Sequence, residues 1–142
     1  MPTIDAARAP TAYTMRVATS LPYQQAIATI REALTEQGFG VLTEIDVRAT
    51  LSDKLGVDVP PQVILGACQP QLAHQALAAA PSIAALLPCN VTVREVPGGS
   101  VVEAVDPEVM SELEIDPAVV DVAAEARRRL QAALGRLVPQ EA

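Results

Sequence analysis

Two phrases of the chain have residue types and spacing that could carry chemistry, and each is built around a cysteine. ILGACQPQLA, residues 64–73, holds Cys68, and LLPCNVTVRE, residues 86–95, holds Cys89; these are the only two cysteines. Each stands where an apolar run meets a proline, Pro70 in the first phrase and Pro88 in the second. Cys68 reads as the end of a strand at a helix start, where unpaired N–H groups and the helix dipole favour a thiolate. Cys89 reads as the first residue of another strand. If those strands are neighbours, Cys68, Gln69, Pro70, Cys89 and Asn90 gather at one cleft. There Asn90 would supply a hydrogen bond, and the amides after Gln69 an end that welcomes anions. Reversible oxidation, sulfur transfer, or capture of an electrophilic or anionic ligand would suit such a place. The competing reading is that both cysteines are small hydrophobes in a core. Cys68 alternates with Ile64 and Gly66, and Cys89 with Val91 and Val93, so both keep core-like company.

Other chemistry finds less support. His74 is the single imidazole; it lies off the apolar stripe of its helix and is carried away from Cys68, so no cysteine–histidine pair forms. One histidine, no C-x-x-C and no H-E-x-x-H leave no metal site and no cofactor to expect within one chain. Glu44 and Asp46 share a strand face, but Asp46 reads as a helix cap and Glu44 as a solvent-facing residue. Gly98-Gly99 lacks the lysine and the strand–loop–helix context of a phosphate loop and reads as a turn. Arg127, Arg128 and Arg129, with Glu125 nearby, read as a solvated helix face.

Composition narrows the partners. The chain has 142 residues, half of them hydrophobic and 19% charged, with a formal net charge of -7. An acidic surface repels nucleic-acid phosphates and anionic lipid. With two tyrosines, one phenylalanine and no tryptophan, no platform exists for stacking bases. No stretch has the ~20 apolar residues of a membrane span, and MPTIDAARAP does not read as a signal peptide. A cytoplasmic protein with two free thiols follows, rather than one with a structural disulfide.

The positioning elements follow from periodicity. AYTMRVA alternates Tyr13, Met15 and Val17 in a strand. Ser20 is placed to cap a helix whose stripe is Tyr23, Ala26, Ile27, Ile30, Ala33 and Leu34, stopped at Gly38. FGVLTEIDV is a second strand, with Phe39, Val41, Thr43 and Ile45 on one side. Asp46 then caps a short helix carrying Leu51 and Leu55 that closes at Gly56. QVILGAC, apolar on both faces, belongs inside a sheet. From Pro70 a helix presents Leu72, Ala73, Ala76, Leu77 and Ala80 as far as Pro81, and PSIAALL adds another turn or two. CNVTVREV, PGG and SVVEAV form a strand–turn–strand unit. Asp106-Pro107 and Asp116-Pro117 each start a helix, the last burying Ala123, Ala126, Leu130, Ala133, Leu134 and Leu137.

The order β-α-β-α-β-α-β-β-α-α implies an α+β fold: about five strands, antiparallel or mixed, with helices mainly on one face. A single domain spans residues 11–138, after a loose segment at 1–10 and before a short tail at 139–142. A thinly covered sheet face would invite a second copy of the chain. GFGVLTEIDVRATLSDKLG, VILGACQPQLAHQAL and IAALLPCNVTVRE, with the DPEVM region and the closing helix, resemble the domain of unknown function 302 family. The resemblance implies a homodimeric α+β domain without an established activity. One departure stands out: the family pattern has Cys-Asn-Pro where this chain has Cys68-Gln69-Pro70, and Gln is a poorer cap than Asn. The expected function is binding of a small ligand, or sensing of redox or sulfur species, at the two-cysteine cleft. The alternative is a non-catalytic structural or assembly module with both cysteines as packing.

Overall fold

Alternating apolar residues build five strands in the computed structural model, which describes residues 11–138. They are β1 (Thr14–Thr19), β2 (Gly40–Asp46), β3 (Gln62–Cys68), β4 (Cys89–Val96) and β5 (Gly99–Val105). One sheet takes the order β1-β5-β4-β3-β2, with every neighbouring pair antiparallel. The helices are α1 (Tyr23–Glu36), α2 (Val47–Leu55), α3 (Pro70–Ala79), α4 (Glu108–Leu113) and α5 (Pro117–Gly135), with a 3-10 helix at Pro81–Leu86 between α3 and β4. The expected α+β fold and element order are present. The loose segment expected at 1–10 and the tail expected at 139–142 lie outside the described residues.

The period of two decides which side of the sheet is covered. Val63, Leu65 and Ala67 of β3, Cys89, Val91 and Val93 of β4, and Val102 and Ala104 of β5 share one face. They form the main core with Ile30, Ala33 and Leu34 of α1 and Leu130, Ala133 and Leu134 of α5. Burying each such aliphatic side chain contributes roughly 1.5–3 kcal/mol, so this layer carries most of the fold's stability. The opposite face is polar: Thr14, Arg16, Asn90, Thr92, Arg94 and Glu103 line a groove there. Glu103 accepts a hydrogen bond of 2.8 Å from Thr14 Oγ1 and another from Arg94.

A second apolar cluster lies beside the first. Ala76 and Ala80 of α3, Ile83, Met110 of α4, and Val119, Val122 and Ala123 of α5 make it up. The long α5 therefore belongs to both clusters, and α3 packs mainly on α5 and the 3-10 helix. Asp116 starts α5 as expected, accepting from the Ala118 amide at 2.9 Å. Asp106 does the same for the Glu108 amide at 3.0 Å. Asp46 caps α2 through the Ala49 amide at 2.9 Å, and Gly56 closes that helix at φ +68°.

Three expectations change. Ser20 does not cap α1: the helix begins after Pro22, too far along for the Ser20 hydroxyl, and no side chain caps it. In β2 a bulge at Leu42 interrupts the alternation, so Val41 faces Ala67 while Thr43 faces Gly66 and Ile45 faces Ile64. An extra residue in one strand reverses the side on which all later residues emerge. Phe39, Val41, Thr43 and Ile45 thus do not share a face. The arginine run is not simply solvated either: Arg127 Nε meets both Asp106 carboxylate oxygens at 3.2 Å, and Arg129 Nη1 donates to the Gln37 carbonyl at 3.2 Å. These side chains tie α5 to the start of α4 and the end of α1.

Candidate functional site

The two cysteine phrases meet because their strands are neighbours. In the β3–β4 ladder Ala67 stands opposite Cys89, and Gly66 opposite Asn90; Cys68, one residue further, faces Gly40 of β2. Cys68 therefore ends β3 one step before the start of α3, and Cys89 opens β4 directly after the cis Leu87–Pro88 bond. Both cysteines are free thiols, Cys89 buried and Cys68 partly so.

They line one cavity of about 280 Å³. Its wall on the sheet side is Phe39, Leu42, Ala67, Cys68 and Cys89, and its wall on the helix side is Leu72, Ala73, Ala76, Leu77, Met110, Val122 and Ala126. The cavity is thus the seam between the two apolar clusters. The lining is almost wholly hydrocarbon and sulfur, with Gln69 as its one amide-bearing side chain. For comparison, a dry apolar cavity of about 150 Å³ in another protein is large enough to take up benzene.

Glycine makes the strand ends fit. A Cβ on Gly66 would lie 2.3 Å from Thr43 Oγ1 and 3.0 Å from Pro88 Cγ. Gly66 therefore lets β2 and the Leu87–Pro88 segment close against β3 immediately beside the cavity.

The start of α3 differs from expectation in a useful way. Gln69 does cap the helix: its Oε1 accepts from the Leu72 amide at 2.8 Å, and its carbonyl accepts from the Ala73 amide at 3.0 Å. Pro70 has no N–H. Most of the amides expected to receive an anion are therefore already satisfied within the helix. Because an N–H needs an oxygen partner, Oε1 must face Leu72, which turns Nε2 the other way. A Cβ on Gly38, at φ +84°, would lie 3.3 Å from this Nε2 and 3.3 Å from Arg129 Nη1.

Electrostatics separates the thiols from the low-pKa picture. Burial, with a smaller push from Cys68, raises Cys89 from 9.0 to about 11. Loss of hydration penalises the charged form, so Cys89 stays a neutral thiol at ordinary pH. By contrast Glu125, hydrogen-bonded to Arg128 and Arg129, is held down at about 2. It remains ionised beside Arg129, whose Nη1 reaches the end of α1.

Of the residues expected at the site, Cys68, Gln69 and Cys89 line the cavity and Pro70 does not. Asn90 is turned away. Next to Cys89 along a strand, it emerges on the opposite face and lines the polar groove. His74 is exposed on α3. Phe39, Leu42, Met110 and the α5 residues were not anticipated; the spacing of Val122 and Ala126 on a helix already read as apolar is the trace they leave in the sequence. Among the described residues no three His, Cys, Asp or Glu side chains gather as a metal site, and no helix is long and apolar enough to cross a membrane.

The family model described as Domain of unknown function DUF302 matches residues 13–137. The fold is also similar to the crystal structure of an uncharacterized conserved DUF302 protein from Bacillus stearothermophilus. That similarity has a TM-score of 0.82 and 31% sequence identity, covering 90% of this chain and 100% of the other. No curated protein matches the chain.

Proposed function

The chain belongs to the DUF302 family, and we propose that this member binds a small, largely apolar molecule in the cavity between β2–β4 and α3/α5. The observation that carries the reading is the cavity itself: about 280 Å³ bounded by hydrocarbon and sulfur. Apolar walls that face water carry the unfavourable hydration cost of exposed hydrocarbon. A ligand of matching shape displaces that water and buries the walls. Cys68 and Cys89 act in this reading as polarisable walls. Redox or sulfur sensing would fall to Cys68, since Cys89 holds its proton to about pH 11.

In the same reading the protein is a cytoplasmic homodimer. Support for the dimer comes from β2 and α2, where Leu42 is 67% exposed and Leu55 69%, and α2 buries no residue at all. Two free thiols suit a reducing compartment. The rival reading, a structural or assembly module, draws on the burial of Cys89 but leaves the cavity without a role.

Titration with 1-octanol while following the melting temperature tests ligand binding. Stabilisation should grow with free ligand as mass action requires. Ala73→Leu, placed in the cavity wall, should abolish the shift while leaving the fold intact. A melting temperature indifferent to the alcohol in the unsubstituted protein overturns the reading.

A further inference from the structure

The register of the sheet brings the two thiols closer together than a shared cavity requires. Ala67 is opposed to Cys89 across the β3–β4 ladder, and Cys68 is the next residue along β3. Opposed residues of antiparallel strands have Cα atoms about 4.5–5.5 Å apart, and one step along a strand adds about 3.4 Å at right angles. The Cα atoms of Cys68 and Cys89 are therefore about 6 Å apart, within the ~4.4–6.8 Å that a disulfide spans. In the middle of a strand, alternation would send the two side chains to opposite faces. Cys68, however, is the last residue of β3, with Gln69 already the cap of α3, and both cysteines line the one cavity. Besides burial, it is Cys68 that raises the pKa of Cys89, an influence that also requires the two to be near. Their exposure differs: Cys89 is buried, and Cys68 only partly so.

We propose that Cys68 and Cys89 form a reversible disulfide when the protein meets a hydroperoxide. Cys68, the more accessible thiol, loses its proton and its sulfur attacks the peroxide. The O–O bond breaks, and the departing alkoxide or hydroxide takes up that proton. The sulfur of Cys89 then attacks the sulfenic acid left on Cys68. The S–O bond breaks, and hydroxide leaves with the Cys89 proton as water. Each thiol gives up one electron, and the hydroperoxide gains two. A dithiol reductant reverses the reaction by exchange. The segment closed by the new bond contains α3 and the 3-10 helix, so the crosslink fastens part of the layer over the cavity to the sheet. Weaker binding of 1-octanol by the oxidised protein follows, a consequence that alone rests on the ligand-binding reading above.

The experiment treats the reduced full chain with equimolar hydrogen peroxide at neutral pH, denatures it in N-ethylmaleimide and measures the intact mass. The oxidised chain should be two hydrogens lighter and take up no maleimide, whereas the untreated chain takes up two. Digestion should yield one crosslinked pair of peptides carrying Cys68 and Cys89, and dithiothreitol should restore both thiols. In Cys89→Ser the reaction should stop at the sulfenic acid of Cys68, which dimedone traps. In Cys68→Ser the thiol of Cys89 should survive the same treatment. Two free thiols after oxidation, a sulfenic acid at Cys68 that persists in the unsubstituted chain, or a crosslink between chains instead of within one overturns the proposal. The melting temperature of both forms with 1-octanol reads the ligand separately. No binding by either form removes the ligand-binding reading and leaves the disulfide, which mass alone establishes.

Discussion

Cys89 stands directly opposite Ala67 in the β3–β4 ladder, with its side chain on the helix-covered face, while Cys68 is one residue past that pairing. Two thiols close in sequence logic are therefore unequal in chemistry. Cys68 should react with a maleimide in the native protein, and Cys89 only once the protein unfolds. Mass spectrometry of the labelled protein with and without denaturant reads this directly; early modification of Cys89 would contradict it.

The same inequality gives stability an alkaline limb. Cys89 rises from 9.0 to about 11 on folding. Below pH 9 the thiol keeps its proton in both states and its full contribution is present. Between pH 9 and 11 the unfolded chain sheds the proton first, so stability falls, by about 2 kcal/mol in total. Denaturant titrations across that range should show the decline, and Cys89→Ala should show less of it than the unsubstituted protein.

Gly66→Ala should destabilise the fold by about 1–3 kcal/mol, as overpacking does, because its Cβ would press on Thr43 Oγ1 and Pro88 Cγ. Pairing it with Thr43→Ala relieves one of the two clashes. The double variant should recover part of the loss, a coupling that chemical denaturation can measure.

The two aspartate caps should differ. Asp116→Ala removes a cap from α5, which both apolar clusters share, and should cost about 1 kcal/mol of global stability. Asp46→Ala loosens α2, which has no buried residue. Its effect should appear as faster amide exchange in residues 47–55, with the global midpoint nearly unchanged.

The dimer proposed above is tested at Leu55, which is 69% exposed on α2. Leu55→Glu should shift sedimentation from dimer to monomer while the melting transition survives. A native chain that already sediments as a monomer excludes the homodimer.

Much of this molecule could be read from local signals. Asp46, Asp116 and Gly56 act within one turn of themselves, so their caps and stop were legible. So was the β4–β5 turn at Pro97-Gly98, where Gly98 takes φ +86°. The meeting of the cysteine phrases followed once their strands were treated as neighbours. What escaped depends on distance or on single insertions. The bulge at Leu42 leaves no mark in composition, yet it reverses the sides of β2 and brings Leu42 into the cavity wall. The average behaviour of glutamine argues against a cap at Gln69, yet its longer side chain reaches the Leu72 amide here. The bonds of Arg127 and Arg129 join residues 21 and 92 positions apart, which no helical periodicity reports. A cavity is missing volume, and apolar spacing looks the same whether the space between residues is filled or empty.

That seam between two apolar clusters divides the cooperativity of the fold. The sheet, α1 and the inner face of α5 form one unit, while α3, the 3-10 helix and α4 rest on the far part of α5. Pro70 and Pro81 bound the α3 segment, and neither donates a backbone hydrogen bond to hold it. The outer layer can therefore lift in a sub-global opening that leaves the sheet's ladders intact. In the binding reading proposed above, entry of a ligand would be timed by that opening, with the five strands serving as the fixed jamb against which it swings.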